Sequence, residues 1–179
     1  MTQRLSRSEF QSWAETQPGR RFERVGGTPV AMAPKRWVHA RLKARIWRAL
    51  DREIQSAGLP CQAAPDGMTV EIDDETDYEP HALVNCGAPI PDEAIAAPNP
   101  VVIVEVLSPR TESLDAGGKL ADYFRLASVQ HYLLVRPLRP EIIHHQRRGD
   151  VIETRIVRSG AVELQPPGIR LELDEIYRN

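Results

Sequence analysis

The stretch Val101-Val-Ile-Val-Glu-Val-Leu107 decides the fold, because it is aliphatic at every position except Glu105. A short run of this kind, bounded by a proline on each side, is typical of a central strand that is buried on both faces of a sheet. Helical and extended patterns alternate on either side of it. The sequence therefore predicts an α/β fold (mixed α+β) built around this strand.

Glu105 is the one charged residue in this run, and burying a carboxylate without a partner costs several kcal/mol. A cation, a metal ion or a proton held through a shifted pKa must therefore accompany it. Two structural alternatives stay open on the local pattern alone: a glutamate at the strand end that reaches solvent, and a structural ion pair.

A second group of polar residues follows the strand, where a helix is predicted over residues 115–126. Asp115, Lys119 and Tyr123 are spaced by four residues and therefore share one helical face. If that helix packs on the sheet, Lys119 is directed at the carboxylate of Glu105. The alternative is an ordinary exposed pair of Asp115 and Lys119, which contributes little to stability.

The composition is that of an ordinary soluble globular protein: of 179 residues, 41% are hydrophobic and 27% are charged. This length suits a single domain, divided into an N-terminal helix and hairpin at residues 6–33, a core at 34–136 and C-terminal strands at 137–179. No apolar run approaches the roughly 20 residues that span a bilayer. The first residues also lack the apolar core of a signal peptide. We therefore expect a cytoplasmic protein with no membrane contact.

The chain has two cysteines, Cys61 and Cys86, which do not form a Cys-x-x-Cys pair. A disulfide is compatible with that count, but a reducing compartment favours two free, partly buried thiols. The formal net charge of −2 argues against a nucleic-acid scaffold with global positive charge. It leaves room for a local basic surface.

Several further elements are predicted from capping and turn signals. Ser6-Arg-Ser-Glu9 is a capping box that starts a short helix, and Gly26-Gly27 separates the two strands of a hairpin. Pro65-Asp66-Gly67 predicts a second hairpin between residues 61–64 and 68–72. Further strands are predicted at residues 78–84, 131–135, 141–146, 151–157 and 169–173.

The longest helix is predicted to begin near Pro34 and to bury a stripe of Val38, Leu42, Ile46 and Leu50. Between Lys35 and Arg52 there are seven Lys or Arg residues, most of them off that stripe. Such a basic face is compatible with contact to a DNA backbone, and the commoner alternative is a solvated helical face. The candidate DNA-contacting residues are Arg41, Lys43, Arg45 and Arg48.

The region around Glu105 resembles the Uma-type family, whose members are described as putative restriction endonucleases. The resemblance rests on Pro100-Val-Val-Ile-Val-Glu-Val-Leu-Ser-Pro109, on Asp115, Lys119 and Tyr123, and on His131-Tyr-Leu-Leu-Val135. Residues 20–34, with Glu23, and the following helix through His39 are similar to the family's first hairpin and helix. The resemblance extends from about residue 8 to residue 177.

The resemblance implies the restriction-endonuclease-like fold of the PD-(D/E)xK nucleases, with a central mixed β-sheet flanked by helices and, here, extra β-hairpins. It also implies a Mg²⁺-dependent phosphodiesterase site made of an Asp after a Pro, a Glu on the next strand and a Lys. Glu105 matches that glutamate. The usual lysine position is occupied by Leu107, so Lys119 takes that role from the helix. Three further residues support the site from around it: Glu23 matches an acidic position that lies beside the site or binds a second metal, Asp115 is expected to orient Lys119, and Tyr123 shares their helical face.

The Pro-Asp of the family is Pro80-His81 in this sequence. Imidazole binds Mg²⁺ less well than a carboxylate does, but it suits Mn²⁺, Zn²⁺ and other transition metals. Glu79 precedes His81 by two residues and shares its face if the segment is a strand, at a spacing of about 6.6 Å. The resemblance and these residues together predict a metal held by Glu105, His81 and Glu79, with Mg²⁺ expected and Mn²⁺ accepted.

Two functions follow from the resemblance. The first is a metal-dependent DNA endonuclease in which Glu105, Lys119 and His81 are catalytic; the second is a degraded nuclease domain that binds nucleic acid or a protein partner. DNA is the expected partner, and a homodimer suits double-strand cleavage. His39 is interpreted as structural, and His144-His145 point to opposite faces of a strand, so they do not share one metal. Phosphate-loop, dinucleotide and HExxH motifs are absent, which predicts no nucleotide cofactor.

Overall fold

The computed structural model describes residues 4–32, 36–108 and 117–178. At its centre is a six-stranded sheet with the strands, in spatial order, β10 (Val151–Val157), β9 (Ile142–Arg148), β8 (His131–Val135), β7 (Pro100–Val106), β6 (Ala82–Cys86) and β3 (Cys61–Pro65). Every residue of β7 is buried, and β7 pairs antiparallel with β6 and parallel with β8. The predicted central strand and the mixed α/β class are thereby confirmed.

One face of this sheet is covered by the long helix α2 (Trp37–Ala57) and by a C-terminal layer. That layer consists of β11 (Ala161–Leu164), β12 (Ile169–Glu172) and the short helix α4 (Leu173–Tyr177). Val102, Val104 and Val106 of β7 enter the core on this side, and α2 contributes Leu42, Ile46 and Leu50 to the same core. The predicted apolar stripe of α2 is confirmed at these three positions, whereas Val38 is only half-buried and Pro34, the predicted start of the helix, lies outside the described residues.

The opposite face of the large sheet is covered by a four-stranded sheet and one helix. The strands are, in spatial order, β2 (Thr28–Ala31), β1 (Phe22–Val25), β5 (Asp77–Tyr78) and β4 (Val70–Glu71). The helix is α3 (Gly118–Tyr123), whereas α1 (Arg7–Glu15) packs on the small sheet, where Trp13 contacts Phe22 of β1. Ile103 and Leu107 enter the core on this side, and so does Glu105, because alternate residues of a strand point to the same face.

The N-terminal predictions are confirmed, since α1 starts with the capping box of Ser6 and Glu9 and β1 and β2 form the predicted hairpin. A buried charge network ties these elements to β5. The guanidinium of Arg24, which is 0% exposed, donates from Nε to Asp77 Oδ2 at 2.7 Å, and Arg7 Nε donates to Asp77 Oδ1 at 3.0 Å. This network fixes β1, the strand that carries Glu23, against β5.

Two strand predictions are wrong. The turn at residues 65–67 does not close a hairpin, because β3 pairs with β6 in the large sheet while β4 pairs with β5 in the small one. The predicted strand at residues 78–84 is broken into β5 and β6 around Pro80. Proline has no N–H to donate and disfavours regular pairing around it, so the chain leaves one sheet here and enters the other.

The C-terminal strands are confirmed to within two residues, but β11 and α4 were not predicted. His144 and His145 lie on opposite faces, as predicted: His144 Nε2 is 2.8 Å from His131 Nδ1, and His145 Nδ1 is 2.8 Å from Thr154 Oγ1. Among the residues that the structure describes, no helix is long and apolar enough to cross a membrane.

The expectation of two free thiols is also wrong, because Cys61 and Cys86 form a disulfide with a Cα–Cα distance of 4.0 Å. The two residues lie directly opposite each other in the β3–β6 pair. That register depends on how two distant strands pair, which the cysteine count cannot show. The bond closes the base of the segment that carries β4, β5, Glu79 and His81.

We expect the double variant Cys61→Ser/Cys86→Ser to lose about 3 kcal/mol of free energy of unfolding, because the bond restricts a loop of about 25 residues in the unfolded chain. The measurement is urea denaturation with and without a reducing agent. The native protein should be destabilised by the reductant and the double variant should not respond to it. Equal stability of the two proteins under oxidising conditions would contradict the disulfide.

Candidate active site

The carboxylate of Glu105 is enclosed in the core, at 1% exposure, and is paired. Its Oε1 accepts hydrogen bonds from Lys119 Nζ at 2.9 Å and from the Tyr123 hydroxyl at 3.3 Å. Both donors come from α3, whose inward face presents residues 119 and 123, as the spacing predicted. The alternative of a glutamate that reaches solvent is therefore excluded, and the alternative of an exposed Lys119 is excluded with it.

Lys119 also binds a second carboxylate, so its ammonium bridges two strands of different sheets. Its Nζ donates to Glu23 Oε1 on β1 at 2.7 Å and lies 4.9 Å above the ring of Tyr78 on β5. Glu23 Oε1 in turn accepts the backbone N–H of Glu79 at 3.1 Å. This bridge joins the small sheet to β7 through a single charged side chain.

The charge state of Glu105 follows from two opposing effects. Burial alone would raise the pKa of this carboxyl, because an enclosed charge is poorly solvated. The ammonium of Lys119 and the imidazole of His81 outweigh burial and hold the pKa of Glu105 well below its usual range. Glu105 is therefore an ionised carboxylate at neutral pH, despite its complete enclosure.

His81 lies on the other side of Glu105, where its Nδ1 is 2.9 Å from Glu105 Oε2. The same nitrogen is 2.8 Å from the backbone N of Val106, in the geometry of an accepted hydrogen bond. One ring nitrogen has a single in-plane bonding position, so it can accept the amide proton or donate to Glu105, but not both. Either the carboxylate faces a lone pair or the amide loses its acceptor.

Glu79 does not join the site, contrary to the prediction that it shares a face with His81. The two residues lie in the irregular break between β5 and β6, so strand alternation does not apply to them. Glu79 Oε2 instead accepts from Arg21 Nε at 3.0 Å, beside Asp66. Burial raises the pKa of Glu79, and Arg21 only partly offsets this effect.

The predicted DNA-contacting residues of α2 do not flank Glu105, because this helix covers the opposite face of the large sheet. Lys43 is buried and donates to Asp66 Oδ2 at 3.0 Å, so it does not belong to an exposed face. Arg45 donates to the backbone carbonyl of Ile176 at 3.4 Å. Arg41 is half-buried and Arg48 is exposed, and their contact with DNA stays a prediction.

Two other sequence candidates have simpler outcomes. His39 is buried, with Nε2 3.0 Å from the carbonyl oxygen of Leu107 at the end of the central strand, which is the structural role expected of it. Asp115, predicted to orient Lys119, lies outside the described residues. Sequence reasoning missed Tyr78, whose ring lies under Lys119, because an aromatic residue on a short strand resembles any other core residue.

The donor set of the site suits some divalent ions better than others. Within residues 4–32, 36–108 and 117–178 no group of three or more His, Cys, Asp or Glu side chains is placed to hold a metal. Glu105 and His81 provide two adjacent donors, one oxygen and one nitrogen. Mg²⁺ prefers oxygen ligands alone, whereas Mn²⁺ and other first-row transition metals accept this mixed pair. This mixed pair suits Mn²⁺ better than Mg²⁺.

The chain is similar to a known protein family, to an uncharacterized protein and to a solved structure. The model of the Uma2 family, described as "Putative restriction endonuclease", matches residues 7–175. An uncharacterized protein of Synechocystis sp., slr1290, is 29% identical over 178 residues, which cover 98% of this chain and 92% of that protein. A crystal structure described as a putative nuclease belonging to DUF820 from Anabaena variabilis superposes with a TM-score of 0.73 at 14% identity and covers 97% of both chains. At this identity the structural likeness shows a shared fold.

Removing Lys119 tests whether its ammonium is what allows Glu105 to be buried. We expect Lys119→Met to lower the free energy of unfolding by about 3–5 kcal/mol, since it leaves a buried carboxylate without its cation. The double variant Glu105→Gln/Lys119→Met should be clearly less destabilised than the sum of the single variants. Urea denaturation of the native protein, the two single variants and the double variant measures the coupling.

Arg170→Met provides the matched control, because Arg170 pairs with Glu163 and Glu172 on an exposed hairpin where its side chain is 54% exposed. It should change stability by no more than about 0.5 kcal/mol. If the double variant loses as much free energy of unfolding as the two single variants together, the side chains of Glu105 and Lys119 do not depend on each other.

Proposed function

Because the chain belongs to the Uma2 family, we propose that it is a DNA endonuclease that hydrolyses phosphodiester bonds with the help of a divalent metal ion. The observation that carries the proposal is the convergence of Glu105, Lys119 and His81 in the core, where a charged group is retained at high cost. An ionised carboxylate can hold a metal ion, a fixed cation can stabilise the charge that develops on a phosphate during hydrolysis, and the imidazole of His81 adds a nitrogen ligand.

Glu105 and His81 are the residues that would hold the metal. When bound, the metal supplies Lewis acidity to the scissile phosphate and makes a bound water more acidic. Glu105 suits this role because its low pKa keeps it ionised at neutral pH and below. His81 biases the choice of ion, and we therefore propose Mn²⁺ rather than the Mg²⁺ expected from the resemblance.

The remaining residues would position and stabilise charge. Lys119, already held between Glu23 and Glu105, would stabilise the negative charge that develops on the phosphate. Glu23 keeps the ammonium near the site by binding it from β1. Tyr123 holds the Glu105 carboxylate from the same helix face as Lys119. These side chains are fixed by packing before any substrate binds, which is the preorganisation that catalysis requires.

A second function is favoured by one observation: Glu105 is enclosed and both of its oxygens already have partners. A phosphate reaches such a carboxylate only if the site opens. The second candidate is therefore a nuclease-fold domain that binds DNA without cleaving it. The two candidates differ in their dependence on Mn²⁺. The endonuclease needs the ion for cleavage, whereas a binding domain holds the duplex equally well whether the ion is present or absent.

We expect the native protein to cleave double-stranded DNA with Mn²⁺, and Glu105→Ala to reduce the rate by at least about 100-fold, because it removes both the metal ligand and the partner of Lys119. The measurement is a gel assay of a labelled duplex, with fluorescence anisotropy of the same duplex run in parallel. The control is Glu163→Ala, a change at a side chain that is 72% exposed on the remote hairpin, which should cleave like the native protein.

Binding by anisotropy without cleavage in either Mn²⁺ or Mg²⁺ would reject the endonuclease and support the binding domain. Equal cleavage by the native protein and Glu105→Ala would reject the proposed site. Loss of activity in Glu105→Ala is attributed to chemistry only if the variant keeps the native circular dichroism spectrum. Glu105→Gln serves as the isosteric variant for that comparison.

His81→Asp should raise Mg²⁺-supported cleavage by at least about 10-fold, because it supplies the oxygen that Mg²⁺ prefers. His81→Asn is the matched control, since an amide oxygen of nearly the same shape carries no charge and should not produce this gain. The assay compares rates in Mg²⁺ and in Mn²⁺ for all three proteins. Unchanged metal preference in His81→Asp would show that residue 81 does not contact the ion.

A further inference from the structure

The strand β10 is an exposed edge of the six-stranded sheet. It pairs with β9 on one side, and within the described part of the chain no strand pairs with its other side. Its seven residues contain no proline, and three apolar side chains are open to solvent: Val151 at 63%, Ile152 at 38% and Ile156 at 54%. A long, proline-free edge that exposes apolar side chains is a surface that natural proteins usually pair or protect.

The opposite edge of the same sheet is protected in the ways that are usual for edge strands. β3 has five residues, ends in Pro65, and is contacted by α2. It is also joined to β6 by the disulfide of Cys61 and Cys86. The difference between the two edges indicates that β10, and not β3, is the edge available to a partner strand.

The sequence of this edge is complementary to itself when two copies run antiparallel. The nine residues are Asp150-Val-Ile-Glu-Thr-Arg-Ile-Val-Arg158. If Thr154 of one copy faces Thr154 of the other, like apolar residues meet and opposite charges meet. The facing pairs are Asp150 with Arg158, Val151 with Val157, Ile152 with Ile156, and Glu153 with Arg155, each occurring twice.

We propose that β10 is a homodimer interface, in which two copies of this chain pair their β10 strands antiparallel about Thr154 and form one continuous twelve-stranded sheet. The occupant is a second copy because the complementarity is internal: the strand offers each copy the charges that the other copy needs. Cross-strand pairs of opposite charge and of β-branched residues are the ones that stabilise antiparallel sheets.

Neighbouring registers are disfavoured by charge and by the pleat. A two-residue shift centres the pairing on Glu153 or on Arg155 and places like charges opposite each other. A one-residue shift would bring side chains from opposite faces together, which the alternation of a strand does not allow. Glu153 is now bonded to Arg155 of its own strand at 2.7 Å, and both side chains are about half exposed, so each can reach a partner across the edge.

The pairing also fixes the relative placement of the two candidate sites. Ile156 lies opposite Ile143 in the β9–β10 pair, and Ile143 lies opposite Leu134, which in turn lies opposite Glu105. Ile156 and Glu105 therefore share one face of the sheet. Seven strand spacings separate the two β7 strands, so the two Glu105 residues would lie on the same face roughly 35 Å apart. The dimer itself does not depend on the proposed function. Only the relevance of this separation to cleavage of a DNA duplex rests on that function.

Charge reversal tests the interface without reference to any activity. The native protein should sediment as a concentration-dependent dimer in analytical ultracentrifugation. Glu153→Arg and Arg155→Glu should each weaken the dimer by roughly 30-fold, because two attractive pairs become two repulsive ones. Mixing the two single variants should restore a heterodimer, since one chain then carries arginine at both positions and faces glutamate at both positions of the other.

The double reversal Glu153→Arg/Arg155→Glu should also dimerise like the native protein. It keeps opposite charges both within the strand and across the interface, whereas each single variant loses both. Glu163→Arg is the matched control, because Glu163 forms a similar exposed pair with Arg170 on the β11–β12 hairpin. It should leave the dimer unchanged. The proposal would be overturned by a native protein that stays monomeric over a 100-fold range of concentration reaching its solubility limit. Single variants that dimerise as tightly as the native protein would also overturn it.

Discussion

The burial of one ionised carboxylate at the centre of the large sheet is the constraint on which the rest of the site depends. Glu105 is tolerated there because Lys119 supplies a cation at 2.9 Å and His81 lies at 2.9 Å on the other side. An unpaired carboxylate in this place would cost several kcal/mol, and its partners are supplied by α3 and by the chain as it returns through residue 81.

Two features of the backbone make this convergence possible. The break around Pro80 lets the chain pass from the small sheet into the large one, and His81 is placed at the point of transfer. The small sheet is held by the buried pair of Arg24 and Asp77, which positions the neighbouring Glu23. Lys119 then joins Glu23 to Glu105 and so connects both sheets. The site is an interlayer ion-pair network rather than a surface cluster.

Local patterns predicted the parts of this arrangement that are local. The aliphatic run around Glu105 identified the central strand, and the four-residue spacing of Lys119 and Tyr123 identified their common face. Glu23 was found only through family resemblance, because nothing in its own hairpin marks it. The disulfide, the turning of Glu79 towards Arg21 and the side of the sheet that α2 covers all depend on contacts between residues distant in sequence. Periodicity and turn chemistry carry no information about such pairings.

Anomalous diffraction from crystals soaked in Mn²⁺ tests the role of Glu105 most directly. The expected result is a manganese peak within coordination distance of the Glu105 carboxylate and the His81 imidazole. The peak should be lost in crystals of Glu105→Gln. A map with no manganese at Glu105 in the native crystals, with Lys119 still bound to both carboxylates, would contradict a metal-binding function for this carboxylate.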